Sequence, residues 1–343
     1  MTAVSSLKPL SMGQLLDRAI RLYRNNFLLF IGIVTLTQIP ASAFAVLLVI
    51  VTTNPAFIET FSGELFPLVA GLVAFVVGIV SALITQIGTA ALTRAIADIY
   101  LGETIGILEA YRKIGNSWLT LIGATILSGI MMAALFIFFF IPCIGWAAAI
   151  PGFGLIMFFT LAVIPLIAPV IVLEGKGAAS AISRAWNLAR QRFWWVFGFV
   201  IILTIFAQLV VTGPVALSQI ALLSILNTTN QTLIAVLQQL VSFLLSIIYL
   251  PIQLTCITLL YFDTRVRLEG FDLALLAASS EDIEVDMASV AADTPVSRIP
   301  WGPTGKELGY FTLISVGFAV FVVAVVGIIA VLGLTIGSAL GGL

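Results

Sequence analysis

Residues 11–51 read SMGQLLDRAIRLYRNNFLLFIGIVTLTQIPASAFAVLLVIV, and two periodicities meet at Phe27. Before it, Met12, Leu15, Leu16, Ala19, Ile20, Tyr23 and Phe27 follow the i, i+3, i+4, i+7 spacing of one helix face. Gln14, Asp17, Arg18, Arg21, Arg24 and Asn25 occupy the other face. Ser11 and Gln14 have capping-box spacing and Leu10 and Leu15 stand at staple positions, which marks the start of this helix. From Phe27 to Val51 there is no charge at all, over a length sufficient to cross the hydrocarbon of a bilayer. A helix too polar to span thus runs directly into a span. Such helices lie in the interface with their cations toward anionic head groups.

The same junction recurs twice. Ala19 to Phe27 to Gly32 in the first unit becomes Ala110 to Trp118 to Gly123 in the second and Ala185 to Phe193 to Gly198 in the third. The Ala-to-aromatic distance is eight and the aromatic-to-Gly distance five in each, while the units start 91 and 75 residues apart. The length difference therefore sits in loops, where insertions are tolerated. In the third unit Ala178, Ala181, Ile182, Ala185, Leu188 and Ala189 oppose Ser180, Ser183, Arg184, Asn187, Arg190 and Gln191. Each unit reads as an interfacial helix followed by a two-span hairpin.

Seven apolar stretches are expected to span: Phe27–Val51, Phe66–Thr93, Leu119–Ile141, Trp146–Leu173, Phe193–Val211, Leu233–Phe262 and Leu308–Leu340. Only 9% of the 343 residues are charged, against roughly 25% in soluble domains. All fifteen Lys and Arg fall in residues 8–24, 94–113, 176–192 and 265–306, and none in the alternate connections near 53–65, 141–146 and 212–231. Cationic loops resist translocation, so the N-terminus is expected on the cytoplasmic side of the membrane and the C-terminus outside. The expected fold is all-α, a polytopic transmembrane helical bundle of three repeats plus a seventh C-terminal span. Its parts are a six-span domain over residues 1–277, an acidic disordered tether over 278–304 and a C-terminal helix over 305–343.

Several local features refine this outline. Pro151, Pro165 and Pro169 predict a kinked or broken fourth span, because proline deletes a helical hydrogen bond. Gly213-Pro214 opens an uncharged outer segment with the makings of a second interfacial helix. Gly333, Gly337 and Gly341 share one face of the last span, the spacing that lets helices approach closely. Cys143 and Cys256 lie on separate elements without ligand spacing and read as small apolar fillers.

Chemistry is scarce. There is no histidine, the commonest general base and metal ligand, and no GxxxxGKS phosphate loop. No Asp, Glu, Lys or Arg stands near the middle of an expected span, where coupled carriers usually keep one. Polar residues at depth are milder, namely Thr85, Gln86, Gln208, Gln238, Gln239, Gln253, Thr255 and Thr258. They read as interhelical hydrogen bonders or, alternatively, as lining for a solute path that would use Gln86, Gln238 and Gln253. The densest polar cluster is the exit of the sixth span, Tyr261 to Asp272. Its alternating charges can pair with one another and with lipid phosphates, or dock a cytoplasmic protein. Arg18, Arg21, Arg24, Arg184, Arg190, Asp263, Arg265 and Arg267 are accordingly the candidate contacts to lipid or a partner protein.

Four motifs carry a resemblance: LLDRAIRLYRNNF (15–27), ALTRAIADIYLG (91–102), PVIVLEGKGAASAISRAW (169–186) and LLYFDTRVRLEGFDL (259–273). Together they resemble the membrane domain of glycerophosphoryl diester phosphodiesterases, over roughly residues 8–275. The resemblance implies a six-helix membrane domain with interfacial helices, in the plasma membrane of a prokaryote. The catalytic domain of those enzymes needs histidine and a divalent metal, so their activity does not carry over to a histidine-free chain. The expectation is a non-enzymatic scaffold or accessory subunit that organises membrane lipids or partner proteins, with no cofactor and no nucleic acid. The alternatives are a passive carrier or channel for a lipid-like solute and a membrane anchor for a separately encoded hydrolase.

Overall fold

In the computed structural model, which describes residues 9–53, 55–60, 65–226, 230–274 and 302–340, the first entry helix is Met12–Asn25. The Gln14 amide N–H donates to Ser11 Oγ at 3.3 Å and the Ser11 N–H donates to Gln14 Oε1 at 2.9 Å, so the expected capping box is formed. Leu15, Ala19 and Tyr23 are its buried stripe. The helix stops at Asn26, and the Tyr23 and Phe27 rings meet edge to face at 5.3 Å across the joint with the first span. The third entry helix, Ala178–Gln191, has the same length, whereas the second, Ile107–Lys113, is half as long. The second span explains the difference. It is Leu65–Tyr100 and carries the expected helix seven residues past Thr93, taking in the ALTRAIADIY motif as its last ten residues.

Seven helices are long and apolar enough to cross a membrane: Phe27–Thr53, Leu65–Tyr100, Ser117–Phe138, Ala148–Glu174, Phe193–Ser224, Thr232–Glu269 and Gly305–Gly327. The chain is a multi-pass, all-helical membrane protein, without strands among the described residues. The sixth span also overruns its apolar stretch, past Phe262 to Glu269, and ends where Gly270 adopts φ 61°. Of the C-terminal features, residues 278–301 and Gly341 lie outside the described residues. Gly333 and Gly337 fall within the last helix, Gly305–Leu340.

The fourth span is not broken. Helix Ile144–Phe158 passes through a π turn, Phe159–Val163, into helix Ile164–Glu174. The Ile164 N–H reaches back five residues to the Phe159 carbonyl, and the next residue is Pro165. The return from i−5 to i−4 bonding thus falls on Pro165, which has no N–H to misplace. The fifth span repeats the device. After Phe193–Ala207 comes a π turn over Gln208–Thr212, the Gly213 N–H donates to the Gln208 carbonyl, and Pro214 follows. Gly213-Pro214 therefore opens no separate interfacial helix; Gly213–Leu226 continues the span.

Packing is densest around the fourth span, whose apolar window is 61% buried against at most 28% in any other. Its second half places Leu166, Ile167, Val170, Ile171 and Leu173 in the core. Elsewhere apolar side chains such as Leu72 and Phe75 face outward, as lipid-facing residues do. The seventh span docks on the first half of the fourth. The Ser315 hydroxyl donates to the Ile150 carbonyl, and the Phe311 ring joins Phe158, Phe193 and Trp186. Phe158 and Phe193 stack in parallel at 4.1 Å. Gly154 permits the close approach, since a Cβ there would overlap the Phe311 carbonyl.

Gly154→Ala is therefore expected to push the seventh helix off the fourth, at a cost of about 1–3 kcal/mol. Cysteines placed at Ile150 and Ser315 should cross-link in the parent background and lose that cross-link with Gly154→Ala. Equal cross-linking in both would refute the docking role of Gly154.

Candidate functional site

The fourth span ends in Glu174, and Gly175, at φ 63°, turns the chain back into the third entry helix. This brings Arg184 over the Glu174 carboxylate, with its Nε at 3.1 Å. The sixth span presents Tyr261, Arg265 and Glu269 at i, i+4 and i+8 on the same side. Arg184 Nη1 lies 2.5 Å from Glu269 Oε1, and Arg265 Nε lies 2.9 Å from Glu269 Oε2. The Tyr261 hydroxyl donates to Glu174 Oε1 at 2.8 Å and accepts from Arg265 Nη1 at 3.2 Å, closing the set. Phe271 covers the Arg265 guanidinium at 4.2 Å. Two cations and two anions, all with buried side chains, make a neutral cluster. Burial on its own would lower the Arg184 pKa; its hydrogen bond to Glu269 and the charges of Glu174 and Glu269 reverse that and raise it.

A second cluster surrounds Asp263. It accepts the Leu10 backbone N–H at 2.8 Å, Arg267 Nε at 3.0 Å and Arg192 Nη1 at 3.3 Å. Arg267 also donates from Nη2 to the Leu10 carbonyl at 2.7 Å. Both polar groups of the Leu10 peptide backbone are thus held by the sixth span, just before the first entry helix begins. Trp195 lies between Arg192 and Arg267, at 4.5 and 5.5 Å.

Two further clusters fix the second entry helix and the seventh span. Asp98 pairs with Arg94 at 3.0 Å and Lys113 at 3.1 Å. The Lys113 pKa is raised, first by its hydrogen bond to Asp98. Arg190 forms a bidentate pair with Glu307 at 2.7 and 2.6 Å and donates to the Gly302 carbonyl at 3.0 Å. Glu307 also accepts the Thr304 N–H at 2.7 Å, so one carboxylate caps the seventh helix and anchors it to the third entry helix.

The structure separates the eight candidate contacts into two groups. Arg21 and Arg24 are exposed on the first entry helix, Arg21 in a surface pair with Asp17 at 2.8 Å. Arg18 lies over the Tyr100 ring at 4.8 Å. Arg184, Arg190, Asp263 and Arg265 are instead buried, and Arg267, about a quarter exposed, is held by Asp263 and Leu10. Acids of the same chain pair the four arginines, while Asp263 is held by Arg192, Arg267 and the Leu10 N–H. On the polar side of the third entry helix Arg184 and Arg190 are thus buried, whereas Ser180 is exposed. Glu174, Glu269 and Glu307 complete the arrangement and were not among the candidates. The signal for Glu174 and Glu269 was their presence in the two motifs that also hold Arg184 and Arg265. Among the described residues no group of three His, Cys, Asp or Glu could hold a metal ion.

Removing one member of the neutral cluster leaves a buried charge unpaired, so Arg265→Met is expected to destabilise the protein by about 3–5 kcal/mol. Arg265→Met with Glu269→Leu leaves Arg184 and Glu174 paired and should lose less than the two single changes combined. Thermal unfolding of the four proteins in detergent measures this, and simple additivity would contradict the coupling.

The family described as domain of unknown function (DUF7847) matches residues 10–263, and the chain belongs to that family. No curated protein and no solved structure matches the chain.

Proposed function

We propose that this member of the family is a non-enzymatic scaffold or accessory subunit that organises membrane lipids or partner proteins. In this reading it resides in a prokaryotic plasma membrane, with its N-terminus cytoplasmic and its C-terminus outside. The observation that carries the reading is the mutual satisfaction of the buried charges. Asp98, Glu174, Asp263 and Glu269 are all engaged by Arg, Lys, Tyr or backbone groups of the same chain. A general acid or base must reach its substrate, and these carboxylates are committed to holding helices together.

The exposed cations stand apart from that framework. Arg21, Arg24 and Arg112 lie on the outer surface of the first two entry helices, at the end of the bundle that carries every described ion pair. Surface pairing such as Arg21 with Asp17 contributes little, so these side chains are available to phosphate head groups. A basic, interfacial rim around a rigid, internally neutral framework suits a protein that gathers anionic lipid or presents a fixed face to a partner.

Topology and activity are separately testable. Cys143 is exposed in the turn after the third span, Cys256 is buried, and Ser180 is exposed on the third entry helix. An impermeant thiol reagent should label Cys143 in intact cells and leave a Ser180→Cys variant of a Cys143→Ser protein unlabelled until the cells are opened. Labelling of that variant in intact cells would invert the orientation.

Reconstituted with divalent metal, the protein is expected to show neither phosphodiester hydrolysis nor transbilayer lipid movement. It should instead enrich anionic lipid around itself in nanodiscs, with less enrichment in an Arg21→Gln, Arg24→Gln, Arg112→Gln variant. Hydrolysis abolished by Asp263→Asn, or flux dependent on Gln86, Gln238 or Gln253, would replace this reading with an enzyme or a carrier.

A further inference from the structure

Three helix faces converge on an apolar groove of about 660 Å³ between the third and fourth spans. Ala179, Ile182, Ser183 and Trp186 are the wall given by the third entry helix, at i, i+3, i+4 and i+7. Met131, Leu135 and Phe138 supply the wall from the third span, and Phe159, the first residue of the π turn, supplies the fourth-span side. From Leu127 to Phe138 the third span advances about 16 Å along its axis. The groove therefore descends from the level of an interfacial helix into the membrane interior. Its size and apolar lining are those of a small-molecule site, and its flexible methionines accommodate chains of different shape.

A space of this kind opening into hydrocarbon holds neither water nor vacuum, since water there would lack polar partners. Among the described residues no charged side chain lines the groove, but a part-exposed cation stands just before the entry helix that forms one wall and suits an anionic head group. Lys176, three residues before Ala179, is about one-third exposed and only 3.6 Å from Glu174 in a loose pair. Gly177 caps the fourteen-residue entry helix without a side-chain acceptor, so the positive end of that helix faces the same level. We propose that this groove is a lipid site that takes one acyl chain of an anionic membrane phospholipid, with its phosphate at Lys176 and the start of the third entry helix. The proposal deepens the lipid-organising reading above by naming the lipid and its seat.

The test uses the full chain in bilayer nanodiscs containing a phospholipid with a diazirine midway along one chain, in phosphatidylglycerol and phosphatidylcholine forms. Adducts are mapped by mass spectrometry. They should concentrate on Met131, Leu135 and Trp186 above the level at lipid-facing Leu72 and Phe75. The phosphatidylglycerol form should be preferred about fivefold, and Lys176→Gln should remove that preference. Ala134→Trp and Ala179→Trp, each filling the groove from an exposed position on its wall, should abolish the groove adducts and spare those at Leu72.

Groove adducts no higher than at Leu72, or unchanged by both tryptophan variants, would overturn the site. So would cross-links between two copies of the chain at those residues. Equal yields from the two head groups would overturn the anionic assignment. Loss of the groove signal with anionic enrichment retained around Arg24 and Arg112 would leave the scaffold reading standing. Hydrolysis or flux would remove that reading even where the groove fills.

Discussion

A guanidinium taken out of water requires an anion and hydrogen-bond acceptors at fixed positions, and Arg184 and Arg265 impose that requirement on the whole charged end of this bundle. Their acids come from the end of the fourth span and the end of the sixth. Glu174, Arg184, Arg265 and Glu269 can therefore be satisfied only when two spans and the helix Ala178–Gln191 are in register. The pairing need not add much net stability over an apolar core, because desolvation offsets the attraction. Its effect is on uniqueness: a shift of one helix by a turn leaves a charge buried alone. The apolar faces, which lipid solvates as well as protein does, provide no comparable penalty against sliding.

The prolines of the fourth and fifth spans illustrate a different constraint. A proline in a lipid-exposed helix leaves carbonyls without donors, a serious cost where no water is present. Here both Pro165 and Pro214 stand one residue beyond a π turn, so the missing N–H coincides with the residue at which bonding changes register. Of the kink or break expected in the fourth span, the structure shows a wider turn within a continuous helix. The fourth span remains continuous enough to serve as the central post, with Phe158 just before the π turn gathering aromatic rings from the third entry helix and the fifth and seventh spans.

The spans were legible because a bilayer demands long uncharged helices and little else in the chain meets that demand. Their ends were less so. The second and sixth spans run on to Tyr100 and Glu269 because Arg94 with Asp98, and Arg265 with Glu269, pair at i, i+4 and sustain helix through polar sequence. Amphipathic periodicity found the third entry helix but misjudged its polar side, since Arg184 and Arg190 look solvent-facing until Glu174, Glu269 and Glu307 arrive from distant parts of the chain. The dock between the seventh and fourth spans left no mark in the sequence. Gly154 and Phe311 are ordinary residues of apolar stretches, and only their proximity distinguishes them.

The clamp on Leu10 has a consequence for when the bundle can close. Asp263 and Arg267 hold both backbone groups of residue 10 from 253 and 257 positions away along the chain. That loop closes only once the end of the sixth span is in place, and closing so long a loop costs chain entropy that the contacts must offset. The fastening uses the backbone of residue 10, while the Leu10 side chain is buried in the core, so both parts of that residue are committed.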